Sequence, residues 1–174
     1  MATCCFTGHR PNKLGGYDYN SPKNLRIKEK LEEAIVFLIE EQNVDTFVVG
    51  GALGIDQMAF DVVYSLKKEY PNIKIIVAVP FKNQAGNWIP TSVSYYENQL
   101  KLADKVIFVD TLDEYKIKGY EEDVYYPAKM QKRNEYMVDI SDYIITYFDG
   151  TKGGTKNCLD YWNKKKENKP INVY

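Results

Sequence analysis

The stretch Cys4-Cys5-Phe6-Thr7-Gly8-His9-Arg10-Pro11 runs from an apolar segment straight into a glycine, the only histidine of the chain and an arginine. Arginine offers a planar, doubly donating guanidinium suited to phosphate, and histidine can donate a hydrogen bond or move a proton near neutral pH. Two more glycine-bearing stretches follow apolar runs: Val49-Gly50-Gly51-Ala52-Leu53-Gly54-Ile55-Asp56 and Asp149-Gly150-Thr151-Lys152-Gly153-Gly154-Thr155. Glycines let backbone N–H groups approach an anion closely, and a helix that starts behind such a turn adds the positive end of its dipole. Gly8, His9, Arg10, Gly50, Gly51, Gly54, Gly153, Gly154 and Thr155 are therefore expected to gather around the phosphate of a ligand.

A fourth group, Lys132-Arg133-Asn134-Glu135, lies in a helical pattern ahead of the third glycine turn. Arg133 and Asn134 there would position a sugar and its phosphate. Asp56 falls near a helix start, where a carboxylate is favoured by the dipole, and joins the ligand contacts. His9, Asp56 and Glu135 are the candidates for acid or base. The structural alternatives stay open: Arg10 pairing with a surface carboxylate, His9 packing or capping, Arg133 as surface charge, and the glycines as plain tight turns. Asp139 and Asp142 read as solvated or capping residues.

Several chemistries are excluded by pattern. Neither the G-x-G-x-x-G dinucleotide spacing nor the G-x-x-x-x-G-K-[ST] phosphate loop occurs, which disfavours a standard dehydrogenase or P-loop NTPase. No G-x-S-x-G elbow is present, and one histidine with three cysteines supplies no spaced metal set, so no metal is expected. Cys4 and Cys5 would point to opposite faces of one strand as small core residues.

The elements that must position these groups alternate between short β-branched runs and longer amphipathic stretches. Strands are expected at Ala2–Thr7, Thr46–Val49, Ile73–Val79, Lys105–Val109, Tyr143–Tyr147 and Ile171–Val173. Helices are expected at Pro22–Gln42, Ile55–Tyr70, Val93–Ala103, Ala128–Ile140 and Thr155–Asn168. Strands that are apolar nearly throughout imply helices on both faces of a mostly parallel sheet, an α/β fold. In such a sheet ligands sit beyond the carboxyl ends of the strands, which would gather the three glycine turns on one edge.

At 174 residues the chain fits one domain, and 44% hydrophobic with 27% charged residues is an ordinary globular composition. A net charge of −1 supplies no long-range attraction for duplex DNA or an anionic membrane. No apolar run is long enough to span a bilayer and no signal-peptide pattern is seen, so a cytoplasmic location is expected. Residues 11–21, 80–92 and 110–126 carry Tyr17, Tyr19, Trp88, Tyr115, Tyr120, Tyr125 and Tyr126. Such rings pack locally, meet another subunit in a homo-oligomer, or stack on a planar ligand.

Taken together, "CCFTGHRP", "GGALGID", "RNEYMVDISD" and "GTKGGT" resemble the YpsA family of the SLOG superfamily, which also contains the LOG phosphoribohydrolases and the DprA/Smf proteins. The resemblance spans nearly the whole chain and implies a Rossmann-like domain binding nucleotides or nucleotide-derived sugars at the glycine-lined edge. One departure matters. LOG enzymes carry a glutamate three residues after a Gly-Thr pair and an arginine on the preceding helix; Arg133 matches the arginine, but the glutamate position is Cys158. A thiol cannot stabilise an oxocarbenium-like ribosyl centre or activate water as a carboxylate does, which disfavours LOG-type hydrolysis.

Three functions follow as alternatives. The first is a binding module that senses or sequesters a small-molecule nucleotide, NAD-like or ADP-ribose-like, with no other cofactor. The second is a nucleotide or nucleoside-phosphate hydrolase or N-glycosidase. The third is a protein-interaction module in cell division or DNA processing.

Overall fold

The computed structural model describes residues 1–174. Its strands are β1 (Ala2–Gly8), β2 (Val44–Val49), β3 (Lys74–Val79), β4 (Lys105–Phe108), β5 (Tyr143–Tyr147) and β6 (Ile171–Asn172). Its helices are α1 (Pro22–Gln42), α2 (Ile55–Leu66), α3 (Pro90–Leu102), α4 (Pro127–Asp139) and α5 (Gly154–Lys165). The strands form one parallel sheet in the order β4-β3-β2-β1-β5-β6. This is the Rossmann-like α/β architecture expected from the sequence, with every strand pair parallel.

Strand alternation builds two apolar layers. Cys4 and Phe6 of β1 enter the larger core with Ile27, Leu31, Ile35 and Leu38 of α1 and Ile55, Met58 and Ala59 of α2. Cys5 turns to the other face, where Val48, Ala78, Met137, Cys158 and Trp162 form the second core under α4 and α5. All three cysteines are free and fully buried, as small core residues should be. The α1 stripe repeats every three or four residues, the helical period that keeps one face on the sheet. Pro22 starts the helix and Asn43, at φ 55°, ends it in the left-handed conformation.

Helix ends depart most from the sequence expectation. α2 stops at Leu66, four residues early, because Lys67, Lys68 and Glu69 turn ahead of Pro71. α5 stops at Lys165, where the Trp162 indole donates to the Asn168 carbonyl at 2.6 Å and turns the chain back toward β6. α3 starts at Pro90, earlier than expected, with proline in the first turn.

Most loop aromatics pack locally. Tyr19 meets Tyr95, Trp88 meets Tyr96, Tyr115 meets Tyr136, Tyr120 stacks on Tyr126, and Tyr125 meets Phe81. Tyr17 is exposed. Asp139 accepts from the hydroxyls of Tyr115 and Tyr161, and Asp142 accepts from the Thr3 amide at 3.0 Å, so both tie elements together at the surface. No helix is long and apolar enough to cross a membrane.

Candidate functional site

Successive crossovers carry the chain from β1 through β2 and β3 to β4, after which it returns past β1 to β5. The order therefore reverses between β1 and β5, and a crevice opens beyond their carboxyl ends. A cavity of about 230 Å³ occupies that place. Gly8, His9, Arg10, Asp56, Arg133, Asn134, Gly153, Gly154 and Thr155 line it, drawn from four separate segments of the chain. Asn12, Lys13, Met130, Thr151 and Lys152 line it as well.

The glycines divide into two groups by what surrounds them. Gly54 has φ 99°, and a methyl there would stand 2.4 Å from the His9 carbonyl oxygen. Its task is to let the turn after β1 lie against the start of α2, where the Ile55 amide donates to that same carbonyl at 3.3 Å. Gly50 lies under Arg133 and Asp56, since a methyl on it would meet the Arg133 Nη1 and Asp56 Oδ2 atoms. Gly51 faces Tyr96, Val77 and Gln84. These three stand behind the cavity wall and do not line it, in contrast to the sequence expectation. Gly153 and Gly154 have open space where a methyl would be, and they begin α5 with no side-chain cap on its first amides. Those uncapped N–H groups face a cavity bordered by Arg10, Lys13, Arg133 and Lys152.

Arg133 is 3% exposed. Its Nη1 donates to the Gly50 carbonyl at 2.5 Å and to the Ala78 carbonyl at 3.4 Å, while Nε donates to the Asn134 side chain at 3.1 Å. Backbone carbonyls thus hold the guanidinium without neutralising it. Burial lowers its pKa, and Asp56 acts against that effect. Burial raises the pKa of Asp56, opposed first by Arg133 and then by Arg10. Glu135, the third acid–base candidate, is directed to Lys132 at 3.4 Å and lies off the cavity.

His9 is engaged by the loop after β5. Its Nε2 stands 3.0 Å from the Asp149 amide nitrogen and 2.9 Å from Asp149 Oδ1. A neutral imidazole accepts the amide proton there, and a protonated one pairs with the carboxylate; Nε2 cannot do both. Asp149 also accepts from the Thr151 amide at 3.0 Å and its hydroxyl at 2.6 Å, and Lys13 reaches it at 3.4 Å. The Thr151 contacts, followed by His9 and Lys13, hold its carboxyl well below the usual carboxylate range. Asp149 therefore fastens the two turns that face each other across the cavity. Sequence reasoning missed it, along with Lys13 and Lys152, although two lysines within the glycine-bearing turns were a legible sign of an anion site.

Cys158, at the position of the LOG glutamate, is fully buried in the core between α5 and the sheet. Burial pushes its thiol up to about 12, so it is neutral and off the cavity.

The family model described as the YspA SLOG family (YpsA) matches residues 4–174. The chain belongs to the YpsA family. The SPbeta prophage-derived protein YoqJ of Bacillus subtilis is 46% identical over 144 residues, covering 83% of this chain and 84% of that protein. A UPF0398 protein of Halalkalibacterium halodurans is 31% identical over 174 residues, covering 99% of this chain and 86% of its own. Among solved structures, DNA processing protein A from Streptococcus pneumoniae aligns with a TM-score of 0.58 at 14% identity. The Helicobacter pylori DNA processing protein A, whose structure concerns single-stranded DNA binding, aligns with a TM-score of 0.56 at 17% identity. This YpsA-family chain is covered to 94% in both but spans only 47% and 61% of those two proteins, so the likeness is one of fold.

Proposed function

We propose that this YpsA-family chain binds a nucleotide or nucleotide-derived molecule of the NAD or ADP-ribose type, as a sensor or a sequestering protein. The observation that carries the reading is the cavity at the sheet's switch point. Four cationic side chains and the uncapped amides of α5 border it, against one carboxylate. The ligand's phosphate would sit on the amides of Gly153, Gly154 and Thr155, with Arg10, Lys13, Lys152 and Arg133 as charge-assisted donors. Gly8, His9 and Asn134 complete the wall.

The test is calorimetric titration of the purified chain with AMP, ADP-ribose, NAD and a single-stranded oligonucleotide. Affinity for at least one phosphate-bearing small molecule, weakened tenfold or more by Arg10→Ala, is expected, since charge-assisted bonds of this kind contribute about 1.5–3 kcal/mol. Binding of the oligonucleotide alone would overturn the reading in favour of a DprA-like role in DNA processing.

One observation favours a hydrolase or N-glycosidase as the second reading. Asp56 is a buried carboxyl on the cavity wall whose pKa burial raises against the opposing charges of Arg133 and Arg10, the kind of perturbed acid that catalytic sites use. Product formation from the bound ligand, abolished in Asp56→Asn, separates this reading from pure binding. A homo-oligomer would join copies through exposed rings such as Tyr17 and Tyr125, and light scattering would reveal it.

A further inference from the structure

Helix α1 carries its charges in the reverse of the order that suits a helix standing alone. Residues 22–30 hold Lys23, Arg26, Lys28 and Lys30 against Glu29, and residues 31–42 hold Glu32, Glu33, Glu40 and Glu41 with no cation. The first turn has no acid and the last turn no base, so cations crowd the positive end of the dipole and carboxylates the negative end. None of these side chains forms an ion pair within the chain. Glu40 accepts the Tyr70 hydroxyl at 2.5 Å, and the charge of Lys28 acts on Asp61. An arrangement that the helix disfavours and that no ion pair within the chain neutralises gains from a partner outside it.

The outward face of α1 holds a regular seam. Lys23, Arg26, Lys30, Glu33, Phe37 and Glu40 are all exposed and follow one another at steps of three and four residues, the repeat that lines up side chains along the contact of two helices. Phe37 is 50% exposed and belongs to neither core cluster. It lies in a hollow whose other lining residues, apart from Val36, are glutamates. A ring rimmed by carboxylates suits a cation on an apolar stem, an arginine or a lysine.

The chain itself supplies such a partner. When a second α1 runs antiparallel across a two-fold axis between residues 31 and 32, Lys23 comes opposite Glu40, Arg26 opposite Phe37 and Lys30 opposite Glu33, each pair formed twice. The two dipoles then oppose, and each helix brings its carboxylate-rich end beside the cation-rich start of the other. A foreign basic helix would answer residues 31–42 and be repelled by residues 22–30, whereas a reversed copy of α1 answers both. On the reading that the chain forms a homo-oligomer, we propose that copies pair through α1 against α1, antiparallel, with the basic start of each helix on the acidic end of the other. A 21-residue helix offers a strip about 30 Å long and about 10 Å wide, smaller than the roughly 800 Å² per partner of a standard interface. The pairing is therefore reversible and salt-dependent.

Sedimentation of the full chain over a range of concentrations, at low and high salt, tests the proposal. The unaltered protein should dimerise at low salt, and dimerisation should weaken about tenfold or more at about 1 M salt, where the screening length is about 3 Å. Lys23→Glu with Lys30→Glu should leave a monomer, as should Glu33→Lys with Glu40→Lys, with circular dichroism showing that each is folded. Mixing these two altered proteins should restore a dimer, because a mostly acidic seam then meets a mostly basic one. A dimer that is indifferent to salt, or that persists in both altered proteins, overturns the α1 contact and leaves the homo-oligomer reading standing. A mixture that stays monomeric does the same. An unaltered protein that is monomeric at every concentration overturns both. The salt comparison uses the unaltered protein, so it holds even where a variant fails to fold.

Discussion

Gly54→Ala is the substitution whose effect the geometry fixes most closely. The new side chain meets two penalties. A non-glycine residue at φ 99° costs about 1–3 kcal/mol, and its methyl would lie 2.4 Å from the His9 carbonyl and 3.0 Å from the Arg10 Cα. Both neighbours are backbone, so relief requires the turn after β1 to move away from α2. Strain and displacement together should cost about 3 kcal/mol or more. In a chain of this size each kcal/mol shifts the melting temperature by about 2–4 °C, so a fall of roughly 6–12 °C is expected. Gly154→Ala is the control. It lies at the α5 start with an ordinary φ and nothing within 4 Å, so alanine there should raise the melting temperature by about 1–3 °C through loss of unfolded-state entropy. Thermal unfolding by circular dichroism reads both. If Gly54→Ala melts within 2 °C of the unaltered protein, the division of glycines into packing and cavity-facing groups is wrong.

Three further predictions follow from buried and titrating groups. Lys129 and Asp110 form an ion pair at 3.0 Å with both side chains 4% exposed, and Lys129 also donates to the Glu121 carbonyl. Lys129→Met should therefore cost about 3–5 kcal/mol and expose residues 110–126 to limited proteolysis, whereas adding Asp110→Leu should recover part of the loss. The acids Asp56 and Asp149 should have opposite pH signatures in melting curves. Folding raises the Asp56 pKa, so its stabilising contribution is present in acid and is lost as pH rises through the raised value; Asp56→Asn should raise the melting temperature at neutral pH and not in acid. Folding lowers the Asp149 pKa, so its contribution is present above the usual carboxylate range and lost as pH falls; Asp149→Asn should destabilise at neutral pH and progressively less in acid. Finally, burial raises the pKa of Cys4, Cys5 and Cys158, so a thiol reagent at mildly alkaline pH should modify none in the native protein and three after denaturation.

The sequence displayed the sheet well because its information is local. β5 and α1 match their expected bounds at both ends, since β-branched runs and a four-residue apolar stripe need no distant partner to be read. Helix ends were less legible, because the early stop of α2 depends on a turn sequence and that of α5 on the Trp162–Asn168 contact. The candidate site divided in the same way. Gly153, Gly154, Arg10 and Arg133 announced themselves by type, and the parallel topology brought them to one edge. Gly50, Gly51 and Gly54 carried the same signal for another reason, close packing of backbone, and composition cannot tell a glycine that admits a ligand from one that admits a neighbouring chain. Asp149 was invisible because its role depends on His9, 140 residues away.

The position of the carboxylate bears on chemistry as well as recognition. In the LOG pattern the acid stands on the helix after the Gly-Thr pair, but here that position, Cys158, is fully buried in the core cluster that holds Cys5, Val48 and Trp162, behind the cavity-lining Thr7 and Arg133. Replacing it with glutamate would bury a charge among these groups, so Cys158→Glu should unfold the chain before it confers hydrolysis. The one acid on the wall enters from α2, on the opposite side of β1 from α5. On the proposed reading, a ligand held by phosphate at α5 would meet Asp56 across β1. Any bond cleavage in this cavity would have to use that approach.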